Sequence, residues 1–278
     1  MARSTGWLRT GAETASRAVF ELRGRKPWTP GYNHYKWKTI DSLLGEDTFR
    51  REIGTDGFGY RIDERVVEYP WLLDRLPAGG ADLLDAGSTL NHASIVRHPK
   101  IAEKSLFIST LAPEAQAFWD LGISYVYEDL RCSHFRDEAF DLIACVSTLE
   151  HVGLDNTMLY TADGAKDERR PGDYLIAIAE MARMLKPGGR LYVTVPFGKM
   201  KNHGWFQVFD AAMLDQLIER FAPGGVHEEI FRYADDRWLR ATREEAGDAT
   251  CFDIHEQKQY DPDFAAFSRA VACLELVK

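Results

Sequence analysis

Residues 81–92 read Ala-Asp-Leu-Leu-Asp-Ala-Gly-Ser-Thr-Leu-Asn-His, an apolar run that ends in Asp85, turns at Gly87 and enters residues suited to start a helix. A central parallel strand hands over to its crossover helix in this way, and ligands of doubly wound sheets bind outside the carboxyl ends of such strands. The pattern repeats downstream. Strand-like runs at 105–110, 124–128, 140–147 and 190–196 alternate with helical patterns at 113–121 and 173–185. The second helical pattern stops at Lys186-Pro187-Gly188-Gly189. Strands alternating with helices over this length predict an α/β protein with a mostly parallel sheet. A helix at 209–221, a strand at 227–233 and a final apolar run from Ala270 to Lys278 follow, the last two expected to pair antiparallel at the sheet edge.

The chain of 278 residues suits one large domain. A net charge of −9 argues against a nucleic-acid binder, which needs a basic face to displace counterions from phosphates. Cys132, Cys145, Cys251 and Cys273 are scattered, and Cys145 and Cys273 sit in apolar runs, so buried free thiols in a reducing cytoplasm are expected. No apolar stretch is long enough to span a membrane, and the N-terminus lacks the apolar core of a signal peptide.

Three segments are expected. Residues 1–30 form a basic amphipathic piece: Arg3, Arg9, Arg17, Arg23, Arg25 and Lys26 outnumber Glu13 and Glu21, and Leu8, Ala12, Ala15, Val19 and Leu22 recur at helical spacing. Such a helix lies on its own domain, on a partner, or at a membrane surface. Residues 31–78 form a helical and looped extension, with helices near 40–51 and 63–76, covering one end of the sheet. Its aromatics, Trp28 to Trp37, either clamp a substrate ring or pack the extension down. Residues 79–278 form the main domain.

The turn after the first strand narrows the ligand. Three glycines for close approach to a pyrophosphate are missing, because Thr89 and Asn91 follow Gly87. No phosphate-loop Gly-Lys-Ser/Thr is present either. Asp85 would repel a pyrophosphate and suits a ligand with an ammonium group.

At this point the sequence resembles the class I S-adenosylmethionine-dependent methyltransferases. Leu84-Asp85-Ala86-Gly87 looks like the first family motif. Glu128-Asp129-Leu130 with Phe140-Asp141-Leu142-Ile143, Leu149-Glu150-His151-Val152, and Met184-Leu185-Lys186-Pro187-Gly188-Gly189-Arg190-Leu191 resemble three more, in family order. The resemblance implies a Rossmann-like, doubly wound, seven-stranded sheet with an antiparallel last strand. It also implies S-adenosylmethionine held by Asp85, Gly87, Ser88, Thr89, Thr110, Asp129, Leu130 and Ser147. Asp85 and Gly87 would line its methionine end, and Asp129 would accept from the adenine amino group. Thr110 stands where the family carries an acid for the ribose. Longer stretches, such as Ser147-Thr-Leu-Glu-His151 and His203-Gly-Trp-Phe206, are similar to methyltransferases of bacterial surface-polysaccharide biosynthesis.

The implied reaction is O-methylation of a sugar or small-molecule hydroxyl by a cytoplasmic enzyme, held peripherally at the inner membrane face or on a glycosyltransferase by its N-terminal helix. A methyltransferase of secondary metabolism and a non-catalytic scaffold stand beside it. Transfer from a sulfonium needs alignment and proton removal, with no metal required. No Asn/Asp-Pro-Pro-aromatic run or Pro-Cys nucleophile points to nucleic acid. The expected catalytic residues are His203, His151 and Asp155, with Trp205 and Gln207 as a stacking plane and an amide for the acceptor. His151, Asp155 and His203 converging on a divalent ion is an alternative arrangement, and Asp253 with His255 is a third candidate set, whose order also reads as a short strand with outward polar residues.

Overall fold

The computed structural model describes residues 19–278. The basic helix expected over 1–30 therefore lies, as far as residue 18, outside the described residues. Just past that limit, Phe20 is fully buried against Tyr32 and Tyr35, whereas Val19 and Leu22 are exposed.

The extension contributes helices α1 (Tyr32–Glu46) and α2 (Arg65–Arg75). Five strands follow with their crossovers: β1 (Asp82–Ala86), β2 (Ser105–Thr110), β3 (Ser124–Tyr127), β4 (Phe140–Val146) and β5 (Leu185–Pro196). Helix α3 (Tyr174–Met184) precedes β5. After it come a small hairpin, β6 (Lys201–Asn202) with β7 (Gln207–Val208), helix α4 (Ala211–Phe221), β8 (Gly225–Ala234), β9 (Arg237–Ala241) and β10 (Ala270–Val277). The sheet order is β3-β2-β1-β4-β5-β10-β8-β9. β1 to β5 are parallel, and β10 enters between β5 and β8, antiparallel to both.

The parallel α/β core and the antiparallel last strand agree with expectation, but β10 lies inside the sheet and β9, not the β8–β10 pair, forms the edge on that side. The sheet has eight strands rather than seven, because β8 turns back through Asp235 and Asp236, both at positive φ, into β9. The helix expected at 113–121 is instead a loop ending in one 3-10 turn at Trp119–Leu121. Side chains satisfy this segment in place of a helical ladder: the Asn91 amide donates to Glu114 and to the Gln116 carbonyl, and the Phe118 N–H donates to Tyr125.

Both sheet faces are buried, so alternate residues of one strand serve different cores. Leu83, Leu142, Ala144 and Val146 pack under α1 and α2, while Leu84, Ile143 and Cys145 pack under α3 and α4. Cys145, Cys251 and Cys273 are buried free thiols and Cys132 is exposed. No helix among the described residues is long and apolar enough to cross a membrane.

The extension is tied to the far end of the chain. Trp28 donates its indole N–H to the Ala266 carbonyl, and Tyr260 donates to the Pro27 carbonyl at 2.7 Å. Glu68 of α2, fully buried, holds Arg65 and accepts from Thr194 of β5 at 2.6 Å.

Candidate active site

The strand ends make a partly open cavity. Its wall takes Gly87 after β1, Ser109 and Thr110 of β2, Glu128 to Arg131 after β3, and Thr148 and His151 to Gly153 after β4. Gly87 has φ +121°, and a Cβ there would fall 2.1 Å from Thr148 Oγ1, so only glycine allows β1 and β4 to end side by side. Ser88 and Ser147 hold positive φ at the same strand ends, a strain that concentrates at functional turns. Ser147 is kept there by two bonds from its N–H to Thr194.

Asp129 lies on this wall, but its carboxylate is engaged. Arg131 donates to Oδ1 at 2.9 Å and to Oδ2 at 2.6 Å, and itself reaches Glu168 and Asp173. Burial would raise the Asp129 carboxyl; the bonds and charge of Arg131 outweigh it and hold the group below the usual range. Thr110 also lines the cavity, and its Oγ1 is buried with no hydrogen-bond partner. A buried hydroxyl left unpaired on a cavity wall is a place for a ligand's hydroxyl. Glu128, which sequence reasoning does not assign, accepts from Ser109 at 3.2 Å, Ser133 at 2.8 Å and the His134 N–H at 2.8 Å.

Asp85 and Ser88 are buried and line neither this cavity nor the next. Asp85 instead accepts the Leu90 N–H at 2.8 Å and fixes the turn, and burial pushes its carboxyl up to about 8.

A second, larger cavity of about 950 Å³ adjoins the first. Thr89, Ser147, Glu150 and Trp205 come from the sheet end, Trp28, Lys36, Asp63, Glu64 and Arg65 from the extension, and Asp253, His255 and Phe267 from the loop before β10. Lys36 pairs with Asp63 at 2.7 Å. Burial, then the charges of Asp63 and Glu68, raise Glu64, and burial pushes Glu150 up to about 8.

Two residues, His151 and Tyr160, belong to both walls. His151 sits in a 3-10 turn after β4, stacked on Trp205, with Nδ1 2.8 Å from the Trp205 carbonyl. Since a carbonyl only accepts, Nδ1 carries the proton and Nε2 presents a lone pair. Burial, offset in part by that bond, pulls the imidazole down to about 4, so it is neutral near pH 7.

The other expected catalytic residues lie elsewhere. His203 lines neither cavity; its side chain is 2% exposed, stacked on Phe206 beside Asp253 and Glu256. Asp155 is turned to Thr157, accepting from its N–H at 2.9 Å and its hydroxyl at 2.6 Å. The three do not converge, because the hairpin β6–β7 folds His203 away from His151. Gln207 is buried and donates to the Pro171 carbonyl at 2.7 Å. Asp253 faces inward rather than to solvent, since the Trp205 indole and the His255 N–H donate to it.

Residues 101–193 match the sequence profile of a family described as "Methyltransferase domain". The matched stretch, a methyltransferase domain, holds β2, β3, β4 and most of β5. Comparison with curated protein sequences gives no match. Among solved structures, it is similar to a Burkholderia thailandensis 1,6-didemethyltoxoflavin-N1-methyltransferase with bound 1,6-didemethyltoxoflavin and S-adenosylhomocysteine: 15% identity, TM-score 0.46, covering 88% of this chain and 89% of that one. It is also similar to a Haemonchus contortus phosphoethanolamine N-methyltransferase 2 in complex with phosphomonomethylethanolamine and S-adenosylhomocysteine: 12% identity, TM-score 0.48, covering 76% of this chain and 52% of that one.

Proposed function

We propose that this protein methylates a sugar hydroxyl, using S-adenosylmethionine, in the assembly of a bacterial surface glycan. The observation that carries the reading is His151, a neutral imidazole of fixed tautomer in the wall shared by two cavities. When bound, the cofactor supplies a methyl group on a sulfonium, already electrophilic. Gly87, Thr110, Asp129 and Leu130 are the residues that would hold it, with the unpaired Thr110 hydroxyl taking a ribose hydroxyl where relatives use an acid.

The acceptor belongs in the second cavity. Trp28, Trp205 and Phe267 offer flat apolar faces for a sugar ring, and Asp63, Glu64 and Glu150 offer oxygens to its hydroxyls. His151 Nε2 then takes the hydroxyl proton as the new O–C bond forms, a contribution of roughly 10²–10⁴ in rate for a placed general base. The glycan setting, with peripheral attachment at the inner membrane face, rests on the sequence resemblance to polysaccharide-biosynthesis methyltransferases.

Incubation with methyl-labelled cofactor and panels of nucleotide sugars and glycan oligomers tests this. Label in a sugar methyl ether is the expected outcome. Transfer confined to amines or nucleic acid would overturn it.

A further inference from the structure

We propose that His203, Asp253 and Glu256 form a binding site for a divalent transition metal of the zinc type, behind the acceptor cavity. One ligand atom from each lies within 4.8 Å of the other two, and His203 Nδ1 faces Asp253 Oδ2 and Glu256 Oε2. The nitrogen is 3.1 Å from the Glu256 oxygen and 3.9 Å from the Asp253 oxygen. Bonds of about 2.0–2.1 Å to a tetrahedral ion place its ligand atoms about 3.3 Å apart. The observed separations bracket that value.

A histidine near two carboxylates is not by itself a site. The second observation is that both nitrogens of His203 are buried without a hydrogen-bond partner, although Glu256 lies so close. The contact lacks hydrogen-bond alignment, so a costly buried imidazole is left unsatisfied. An ion held between Nδ1 and Glu256 gives that nitrogen its partner.

The surroundings suit such a set. Trp205 donates to Asp253 Oδ2 at 3.0 Å and the His255 N–H to Oδ1 at 2.8 Å, which orients this ligand from behind. Lys201 reaches Glu256 at 2.7 Å from an exposed position; it neutralises one of the two carboxylate charges and is free to swing into solvent when an ion takes its place. One nitrogen and two oxygens leave a fourth position for water.

The site joins the β6–β7 hairpin to the loop before β10. Trp205, two residues after His203, carries the carbonyl that fixes His151. Metal loading therefore stiffens the support of that base from outside the cavity.

The test uses the full chain, stripped with a chelator and titrated calorimetrically with Zn²⁺ alone, with Mg²⁺ as comparator. One Zn²⁺ per chain, preferred over Mg²⁺, and a raised melting temperature are expected. Replacing the visible-silent ion by Co²⁺ should give the intense absorption of a four-coordinate site. Glu256→Gln, on a partly exposed side chain, should weaken Zn²⁺ binding by about 100-fold or more, beyond the 10- to 100-fold cost of losing a ligand's supporting partner. His203→Gln should do the same. Absence of stoichiometric uptake overturns the proposal, as does uptake that Glu256→Gln leaves unchanged.

Discussion

The two cavities that meet at His151 are built in opposite ways. The first is local, its wall coming from residues just past β1, β2, β3 and β4, each placed by sheet hydrogen bonds a few residues away. The second is assembled from distant parts: Trp28, Lys36 and Asp63 face Asp253 and Phe267, nearly a chain length later. A ladder of backbone bonds tolerates little variation in the first. The second hangs on side-chain ties such as Lys36–Asp63 and Trp28 to the Ala266 carbonyl, which single substitutions can redraw. One fold can thus keep its cofactor and exchange its acceptor.

The division can be broken at its shared wall. His151→Ala should lower kcat by roughly 10²–10⁴ while calorimetry finds cofactor affinity unchanged. Equal loss of both would assign His151 to the first cavity alone. The same side chain sets an acid limit on stability. Its folded value of about 4 lies below the usual 6.5, so the unfolded chain binds the extra proton. Its contribution is complete above pH 6.5 and falls away as pH drops toward 4, by about 3 kcal/mol in all. Denaturant melts across that window should show the decline, and His151→Gln should flatten it.

Smaller effects separate the cavities from either side. Asp129→Ala should weaken cofactor binding roughly 10- to 150-fold, the equivalent of 1.5–3 kcal/mol for charged hydrogen bonds, and leave the acceptor KM alone. Trp28→Ala should raise the acceptor KM about fivefold, near 1 kcal/mol for an aromatic contact, without touching cofactor affinity. If Trp28→Ala changes cofactor affinity instead, the extension serves the first cavity and the comparison fails.

Legibility in the sequence divides along the same line. β1 and β2 begin and end where their apolar runs do, because a buried parallel strand writes itself as a short hydrophobic segment. Gly87, Thr110, Asp129 and Leu130 stand out because they follow or end such strands directly. β5 starts five residues earlier than its pattern suggests: Leu185 already pairs with Phe140, and Lys186 bonds Asp141 across the bulge at 2.9 Å. Pro-Gly-Gly there ends the helix without delaying the strand.

The wall of the second cavity is legible only in fragments. Trp28 and Asp253 stand out by residue type, but nothing local brings Glu64, Glu150 and Phe267 to one place. His203 shows the converse. Its position in an acceptor loop makes it an attractive base, and only the turn of the β6–β7 hairpin, set by long-range packing on Phe206 and Phe267, directs it to Asp253 and Glu256.

The central position of β10 has a consequence for the order of events at the ribosome. Residues 82–196 can pair as they emerge, since each parallel strand finds a neighbour within that stretch. β8 and β9 cannot join them, because the seat between β5 and β8 is filled only by residues 270–277. Until then a nascent chain shows two open sheet edges at β5 and β8, each a template for association with another chain. Synthesis through Val277 closes both edges in one step, just after Phe267 has been added to the wall of the second cavity. A chain stalled before that point would hold the wall of the first cavity and leave the second incomplete.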